Sequence, residues 1–235
     1  MDLSKLLTIL TRPGLARIAL TRRIAAGVEH FAVIDYTAAD LLIDVGANKG
    51  QFSLAFRARR PAAAIVAFEP IPSEADRFED IFRSDPRVSL HRVALSDTRT
   101  RTQFHVTDRK DSSSLLPAGE HQTAIFGVRH AETIDVDVHR LDDYVDATAL
   151  PDRTLLKLDV QGAELNVLHG CQAIDRFRFI YLEVSFLPLY DGQSLFGEIY
   201  AHLVANGFEL IGLFNQVFRA DIGPVQADAL FQRKA

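Results

Sequence analysis

Residues 41–50 read LLIDVGANKG, and this stretch decides the fold. Leu41–Val45 is a short apolar run that ends at a glycine, which is typical of a strand buried on both faces of a parallel sheet. Gly46 permits a tight turn, and residues 50–60 then predict a helix. A strand that turns directly into a helix is the first half of a β-α-β unit, in which the next strand runs parallel to the first.

The strand–helix alternation continues beyond residue 60. Further strands are predicted at residues 64–68, 88–95, 155–158, 179–184, 208–214 and 229–233. Helices are predicted at residues 73–84, with Ser73 as the N-cap, and at residues 163–170 and 194–206, where Gly207 is a typical stop. The last two strands would complete the sheet as an antiparallel pair. We therefore expect an α/β fold with a doubly wound, seven-stranded sheet that is mostly parallel with an antiparallel C-terminal strand.

Residues 97–140 interrupt this rhythm. Polar alternation predicts strands at residues 103–107 and 133–139, which are joined by a polar stretch that includes three consecutive serines at 112–114. We interpret the segment as a hairpin-like excursion with a mobile loop. Residues 108–130 are expected to reach the carboxyl edge of the sheet and to form part of a substrate pocket.

Residues 1–38 form a separate N-terminal segment ahead of a domain that spans residues 39–235. Leucines recur at helical spacing on the N-terminal side of Pro13, and we expect two short helices broken at that proline. The segment is also rich in arginine. Two interpretations stay open: a helical lid packed on the sheet, or a basic amphipathic surface that rests on an anionic membrane.

The composition and charge of the chain indicate its cellular compartment and its partners. No apolar run approaches the roughly 18 residues needed to span a bilayer. The formal net charge is −5, and an acidic chain gains no general attraction to polyanions, which disfavours nucleic acid as a partner. Cys171 is the only cysteine, so no intrachain disulfide forms, and we expect its thiol in the core. These features predict a cytoplasmic protein, and residues 1–38 would supply any peripheral contact with the inner face of the membrane.

The turn after the first strand is the first place to look for a ligand, because open α/β sheets bind ligands at the carboxyl ends of their strands. Asn48 stands where a dinucleotide-binding turn carries the glycine that admits a pyrophosphate. Its presence argues for a ligand without phosphates. Asp44, at the strand end, would attract a cationic ligand.

Glu69 gives a second indication of the ligand, beside the cationic, phosphate-free character that the turn suggests. It ends the second strand, 19 residues beyond Gly50, where an acidic side chain accepts both hydroxyls of a ribose. A nucleoside with a cationic amino-acid tail meets both requirements, and S-adenosylmethionine is the common one. The alternative is that Gly46 and Gly50 only shape a turn and that Glu69 is a charge at a helix N-terminus.

Four segments of the sequence resemble one known family. They are DVGANKG at residues 44–50, FEP at 68–70, VALSD at 93–97 and LKLDVQGAE at 156–164, the last followed by VLHG at 167–170. Over roughly residues 40–215 the chain is similar to the FkbM-type methyltransferases. The resemblance implies a class I methyltransferase (Rossmann-like) fold, S-adenosylmethionine as methyl donor, and a hydroxyl acceptor on a sugar or a complex natural product. By the same similarity, Ala94 would offer its backbone to the adenine, with Ser96 and Asp97 beside it.

Three residues are predicted to carry the chemistry. The fourth parallel strand should end beside the transferred methyl group, and it ends in Asp159. Lys157 points to the same face, and a lysine inside an apolar strand needs a partner. A Lys157–Asp159 pair would orient the acceptor or the base, and the alternative is a structural ion pair. Glu183, in the next apolar strand, either faces the acceptor or binds backbone amides.

Other titratable residues are weaker candidates for a role in the site. Glu164 begins the following helix and is either a dipole-stabilising charge or a second acid in the site. Asp159, Glu164 and Glu183 offer oxygen ligands, but nothing in their spacing demands a metal, and none is expected. A positioned base assists an alcohol acceptor, which loses a proton. The excursion contains four histidine candidates for that base, namely His105, His121, His130 and His139.

The leading hypothesis is an S-adenosylmethionine-dependent O-methyltransferase that acts on a hydroxyl of a glycan, glycolipid or secondary metabolite. An RNA ribose methyltransferase shares the fold, but the acidic balance and the lack of clustered aromatic and basic residues count against it. The non-enzymatic alternative is a cofactor-binding scaffold that has lost activity. The presence of Asp44, Glu69 and Asp159 counts against a scaffold.

Overall fold

The structure is a computed structural model that describes residues 3–146 and 148–234. Its helices are α1 (Leu3–Leu10), α2 (Pro13–Arg22), α3 (Phe31–Thr37), α4 (Gln51–Arg59), α5 (Pro72–Phe82), α6 (Glu120–Phe126), α7 (Glu164–His169) and α8 (Phe196–Ala205). Its strands are β1 (Leu41–Val45), β2 (Ala64–Phe68), β3 (Val88–His91), β4 (Ala94–Leu95), β5 (Thr100–Thr107), β6 (His130–His139), β7 (Thr154–Leu158), β8 (Phe179–Ser185), β9 (Phe208–Arg219) and β10 (Gly223–Arg233).

The main sheet confirms the expected architecture. Within the described residues it has seven strands in the order β3-β2-β1-β7-β8-β10-β9. The first five run parallel, and β10 is antiparallel to both β8 and β9. Val45 at the end of β1 lies opposite Phe68 of β2 and Leu158 of β7, so these strands end at one edge. The strand order reverses beside β1, which places the ligand-binding crevice there.

Successive residues of the central strands pack into two different cores. Leu42 and Leu155 face a cluster that includes side chains from α1, α2 and α4. Ile43 and Leu156 face a second cluster with α7 and α8. This alternation is the reason that the strands read as continuous apolar runs, since both faces of a doubly wound sheet are covered by helices.

The N-terminal helices pack on the sheet. Ile9 and Leu15 are buried in the same cluster as Leu42. The break falls at residues 11 and 12, and Pro13 starts α2, where a proline loses no hydrogen bond. Helix α3 was not predicted. The outward leucines of this segment are exposed, namely Leu3, Leu7, Leu10 and Leu20. In the described residues no helix combines the length and the apolar character needed to cross a membrane.

The predicted boundaries of the third strand, residues 88–95, are wrong. It splits into β3, which stays in the main sheet, and β4, which pairs with β6 in a second sheet of order β4-β6-β5. The predicted cap of α5 is also wrong, because Pro72 occupies the first helical turn and Ile71 is the N-cap. The hydroxyl of Ser73 instead accepts a hydrogen bond of 2.6 Å from Lys110 Nζ.

The excursion contains the two strands that the sequence predicts. β5 and β6 pair in antiparallel fashion, and both are longer than expected. The intervening segment folds back, with Ser114 bridged to His105 of β5 and Ala118 bridged to Tyr190. Helix α6 in this segment was not predicted. The excursion therefore rests against the loop that follows β8, at the same edge as the crevice.

Candidate active site

A cleft of about 1200 Å³, partly open to solvent, lies at the carboxyl edge of the main sheet. The ends of β1, β2, β7 and β8 form its base. The N-terminal segment contributes Gly27, Glu29 and His30 to one wall, and the excursion contributes Lys110, Asp111, Ser113 and Leu115 to another. Apolar side chains, including Phe68, Ile71 and Leu95, complete the lining. The crevice predicted from the strand pattern is therefore a formed pocket.

The turn after β1 joins three strands. Gly46 has a positive φ of 73°, and a Cβ there would lie 1.9 Å from the backbone oxygen of Asp159. Only glycine permits this approach of β1 to the end of β7. The backbone N–H of Asn48 donates to Glu69 Oε2 at 2.8 Å, and its side-chain amide donates to the Lys110 carbonyl at 3.3 Å. Gly50 also has a positive φ and packs on Phe78.

Glu69 lies in the cleft with 4% of its surface exposed. Its Oε1 accepts the backbone N–H of Ile71 at 2.8 Å, and its Oε2 accepts that of Asn48. Burial raises the pKa of Glu69 to about 7, against the effect of the two amides. Each carboxylate oxygen keeps a second lone pair, so this side chain can still accept hydrogen bonds from ligand hydroxyls.

Asp44 is not in the cleft. It is fully buried, accepts a hydrogen bond from Ser53 Oγ at 2.7 Å, and lies 3.0 Å from Lys157 Nζ through its Oδ1. Lys157 also donates to the carbonyl of Gly46 at 3.0 Å, whereas Asp159 is 3.8 Å away. The main partner of Lys157 is thus the carboxylate on the neighbouring strand, since Asp44 and Lys157 are opposite each other in register. Burial lowers the pKa of Lys157, but the carboxylates of Asp44 and Asp159 outweigh it and raise the pKa.

Asp159 and Glu183 are brought together by a residue that the sequence analysis did not single out. Gln161 Nε2 donates to Asp159 Oδ1 at 2.7 Å and to Glu183 Oε2 at 2.9 Å. Gln226 Nε2 donates to the other oxygen of Glu183 at 2.7 Å. Burial and nearby carboxylates, Asp159 foremost, raise the pKa of Glu183 well above its ordinary value. The side chain of Asp159 is 41% exposed, so it is the member of this network that a ligand reaches.

The backbone conformation of Gln161 marks it as a candidate functional residue, and the sequence alone does not reveal this conformation. Its φ is +57°, which is uncommon for a residue other than glycine and concentrates at functional sites. The hydroxyl of Tyr190 lies 2.7 Å from Gln161 Oε1 and 2.9 Å from the carbonyl of Ser112. This contact ties the carboxylate network to the excursion.

Glu164 holds the turn between β7 and α7. Its carboxylate is buried and accepts the backbone N–H groups of Val160 at 3.0 Å and Gly162 at 3.0 Å. Burial raises the pKa of Glu164 to about 7. Among the residues that the structure describes, no group of three or more His, Cys, Asp or Glu side chains is arranged to hold a metal ion.

The three residues assigned to the adenine lie at different depths. Ala94 lines the cleft next to Leu95. Ser96 and Asp97 are absent from the lining, and the hydroxyl of Ser96 donates to Asp97 Oδ1 at 3.1 Å. The Asp97 carbonyl accepts a hydrogen bond from Arg140 at 2.5 Å. Of the three residues assigned to the adenine, Ala94 alone therefore lines the cleft.

The histidines of the excursion do not reach the cleft. Their rings contact other groups, such as the Tyr144 hydroxyl 2.7 Å from His139 and the Pro188 carbonyl 3.1 Å from His121. Of the histidines in residues 3–146 and 148–234, His30 is the one that lines the cleft. It sits in a 3₁₀ turn (Val28–His30) of the N-terminal segment, a region in which the sequence analysis named no candidate base.

Comparison with known proteins fits this geometry. The Methyltransferase FkbM domain matches residues 44–210, which contain the turn after β1, Glu69 and the Asp159–Gln161–Glu183 network. The chain belongs to the FkbM methyltransferase family. It is an S-adenosylmethionine-dependent methyltransferase, as the resemblance of its motifs implied.

The curated relatives that the chain matches include proteins named as methyltransferases. The chain is 33% identical over 190 residues to the 2-O-methyltransferase NoeI of Sinorhizobium fredii, with 77% of each chain covered. It is 27% identical to the 31-O-demethyl-FK506 methyltransferase FkbM of Streptomyces tacrolimicus, with 76% of each covered. It is 29% identical to the hexuronic acid methyltransferase AglP of Haloferax volcanii, over 62% of this chain and 56% of that one.

The fold recurs in solved structures. TehB from Haemophilus influenzae superposes with a TM-score of 0.52 at 8% identity, over 92% of this chain and 66% of TehB. At this identity the likeness concerns the fold alone. The doubly wound sheet of this FkbM methyltransferase is therefore shared well beyond its own family.

The buried ion pair of this site is open to a stability test. Lys157→Met removes the cation and leaves the carboxylate of Asp44 buried without a partner, which costs about 3–5 kcal/mol. We expect the free energy of unfolding, measured by urea titration, to fall by that amount. Lys5→Met is the matched control, because Lys5 pairs with Glu29 at the surface at 2.7 Å, and we expect a loss below about 1 kcal/mol.

A double variant shows how much of the stability lost in Lys157→Met comes from the unpaired charge and how much from altered packing. Asp44→Asn in the Lys157→Met background removes the unpaired charge and keeps an acceptor for Ser53. We expect this double variant to be more stable than Lys157→Met alone. Equal losses for Lys157→Met and Lys5→Met, or no recovery in the double variant, would show that the ion pair does not stabilise the site.

Proposed function

We propose that this FkbM methyltransferase transfers the methyl group of S-adenosylmethionine to a hydroxyl oxygen of a neutral glycan, glycolipid or secondary metabolite. The observation that carries the proposal is the carboxylate network of Asp159, Gln161 and Glu183 at the end of the cleft away from Glu69. Carboxylate and amide groups bind hydroxyls. The relatives named as a 2-O-methyltransferase and as the 31-O-demethyl-FK506 methyltransferase act on oxygen.

One half of the cleft fits the methyl donor. The carboxylate of Glu69 faces the cleft with free lone pairs for two ribose hydroxyls, and the turn of Gly46 and Asn48 approaches from the side. Phe68, Ala94 and further apolar residues line the cleft and offer an apolar surface for the adenine ring. Asp44, which is shielded behind Lys157, would act on the ligand only through that lysine. S-adenosylmethionine, when bound, supplies an electrophilic methyl group on a positively charged sulfur.

The other half of the cleft is acidic. Glu29, Asp159, Glu183 and Asp228 all line it. Lys5 pairs with Glu29, and the ammonium group of Lys157 is paired with Asp44, so the excess of negative charge comes from Asp159, Glu183 and Asp228. Burial, and after it the neighbouring carboxylates of Asp159 and Asp228, raise the pKa of Glu183. A neutral polyol can donate hydroxyl hydrogen bonds to these carboxylates, whereas an anionic acceptor would be repelled. The same repulsion disfavours an RNA substrate.

Two segments outside the β-α-β units close the acceptor side. His30 and Glu29 come from the N-terminal segment of residues 1–38, and Lys110, Asp111 and Ser113 come from the excursion. We propose that both form the acceptor pocket and exclude water from the reacting atoms. Asp159 would orient the acceptor oxygen toward the methyl carbon, held in place by Gln161 and Lys157. The exposed leucines of α1 and α2 would supply any peripheral membrane contact.

A matched pair of acceptors tests this proposal. We expect transfer of a radiolabelled methyl group to methyl galactopyranoside, or to another neutral glycoside of a sugar panel, at least 10-fold faster than to the corresponding hexuronate, because only the latter adds a carboxylate to the acidic half. Product NMR should place the methyl group on oxygen. Faster turnover of the hexuronates would contradict the assignment of a neutral acceptor. Binding of S-adenosylmethionine without transfer to any acceptor would favour a non-catalytic scaffold.

A variant of Asp159 tests its role in orientation. Asp159→Asn keeps the size of the side chain and an acceptor for Gln161, and removes the charge. We expect the affinity for S-adenosylhomocysteine to stay within severalfold and the methylation rate to fall by ~10²-fold or more, the usual contribution of a positioned catalytic group. Asp137→Asn on the surface of β6 is the control. Turnover of Asp159→Asn at the wild-type rate from about pH 6 to pH 9 would make Asp159 structural.

A further inference from the structure

Four polar side chains from distant parts of the chain meet beside the acidic half of the cleft. His30 Nδ1 lies 2.9 Å from the hydroxyl of Tyr181 on β8 and 3.6 Å from Asp228 Oδ2 on β10. The Tyr181 hydroxyl lies 2.9 Å from the same Asp228 oxygen. Asn215 of β9 donates to that oxygen at 2.7 Å. His30, Asn215 and Asp228 lie outside the residues that match the family domain.

The hydrogen bonds of this cluster favour one neutral tautomer of the imidazole. Tyr181 has a single hydroxyl proton, and a carboxylate is a stronger acceptor than a neutral ring nitrogen, so Tyr181 donates to Asp228. Asn215 Nδ2 also lies 3.3 Å from His30 Nδ1, but it donates to Asp228 at the shorter distance of 2.7 Å. We therefore assign the proton of the neutral ring to Nδ1, which donates to the Tyr181 oxygen. The burial that raises the pKa of Tyr181 keeps this hydroxyl protonated. With the proton on Nδ1, the other ring nitrogen of His30 carries a free lone pair.

That free nitrogen is available to a ligand. In residues 3–146 and 148–234, no side chain or backbone group forms a hydrogen bond with His30 Nε2, and the carboxylate oxygen nearest to it is Glu29 Oε1 at 3.9 Å. His30, Glu29, Tyr181 and Asp228 all line the cleft that also holds Asp159. A chain of hydrogen bonds therefore runs from Asp228 through Tyr181 to a ring whose basic nitrogen has no protein partner.

We propose that His30 is the general base of the reaction and that Tyr181 and Asp228 are its positioning residues. This inference rests on the proposed O-methyl transfer. The acceptor hydroxyl gives its proton to His30 Nε2 while its oxygen forms the new bond to the methyl carbon. The electron pair of the broken carbon–sulfur bond stays on sulfur, which loses its positive charge. The imidazolium then releases the proton to solvent.

The carboxylates of the cleft are less suited to this task. Both oxygens of Glu183 already accept amide hydrogen bonds from Gln161 and Gln226. Asp159 has one oxygen on Gln161 and the other facing Lys157. An imidazole, by contrast, titrates near neutral pH, where a base combines availability with strength. The imidazolium formed at His30 would be stabilised by Asp228 and Glu29, at 3.6 and 3.9 Å.

The charged groups around His30 set its protonation state. Burial has the largest effect and lowers its pKa; Asp228, Glu29 and Asp159 act in the opposite direction, and Lys157 lowers the pKa further. The net pKa lies below the ordinary imidazole value of about 6.5. The ring is therefore neutral and ready to accept a proton at neutral pH. A base of this kind makes the rate rise with pH through its pKa and then reach a plateau.

The pH dependence of kcat, measured with the fastest neutral glycoside of the sugar panel, tests the proposal. The wild-type enzyme should show a single ascending limb below about pH 6.5 and a plateau above it. His30→Asn, which keeps an amide donor near the position of Nδ1, should lose the limb and about 10²–10⁴-fold in kcat. Tyr181→Phe keeps the ring and should give a smaller loss in kcat with a shifted limb. Affinity for S-adenosylhomocysteine should stay within about threefold in both variants.

Two results would overturn the assignment while O-methyl transfer itself stands. One is a folded His30→Asn enzyme with the wild-type limb and kcat. The other is a His30→Asn enzyme that loses affinity for S-adenosylhomocysteine and keeps kcat, since His30 would then hold the methyl donor. A wild-type enzyme that methylates no hydroxyl of the panel would overturn both proposals.

A measurement on the wild-type protein avoids any dependence on the folding of variants. Long-range ¹H–¹⁵N NMR spectra distinguish the two neutral tautomers of a histidine. We expect His30 to carry its proton on Nδ1 at pH 7. A proton on Nε2, or a charged ring at that pH, would show that its free nitrogen is not the proton acceptor.

Discussion

The buried ion pair between Asp44 and Lys157 is the constraint on which the rest of the site depends. The two residues lie opposite each other on adjacent central strands, and Lys157 also donates to the carbonyl of Gly46. One ammonium group thereby joins the ends of β1 and β7 to the turn between strand and helix. A buried charge requires its partner, so we expect this contact to favour the observed strand register and the path of the turn. The cleft opens directly above it.

The polar side chains of the cleft form two sets, one at each end. Glu69 and the turn after β1 face one end, where apolar side chains supply the remaining wall. Asp159 and Glu183 face the other end and are bridged by Gln161, whose strained backbone is held by the hydrogen bond with Tyr190. A methyl donor with a cationic sulfur and a neutral hydroxyl acceptor both suit this distribution of charge. The acidic end would repel an anionic acceptor.

The sequence predicts features whose cause is local and fails where the cause is distant. A glycine or an acidic residue at a strand end indicates the edge of the sheet, so the strand pattern predicted that Glu69 and Asp159 lie at that edge, where both line the cleft. The spacing of two residues suggested Asp159 as the partner of Lys157, but strand register places Asp44 closer. The cluster around His30 joins residues almost 200 positions apart in the chain. No local pattern marks such a cluster, because β-sheet topology alone assembles it.

The central claim is that Glu69 and the turn after β1 hold the methyl donor at this cleft, and calorimetry with S-adenosylhomocysteine tests it most directly. In Glu69→Ala the ribose hydroxyls lose charge-assisted hydrogen bonds worth about 1.5–3 kcal/mol in all, so we expect the Kd to rise at least 10-fold. Glu79→Ala, on the exposed face of α5, should bind like the wild type. An unchanged Kd in a folded Glu69→Ala protein, or no binding by the wild type, would contradict the account.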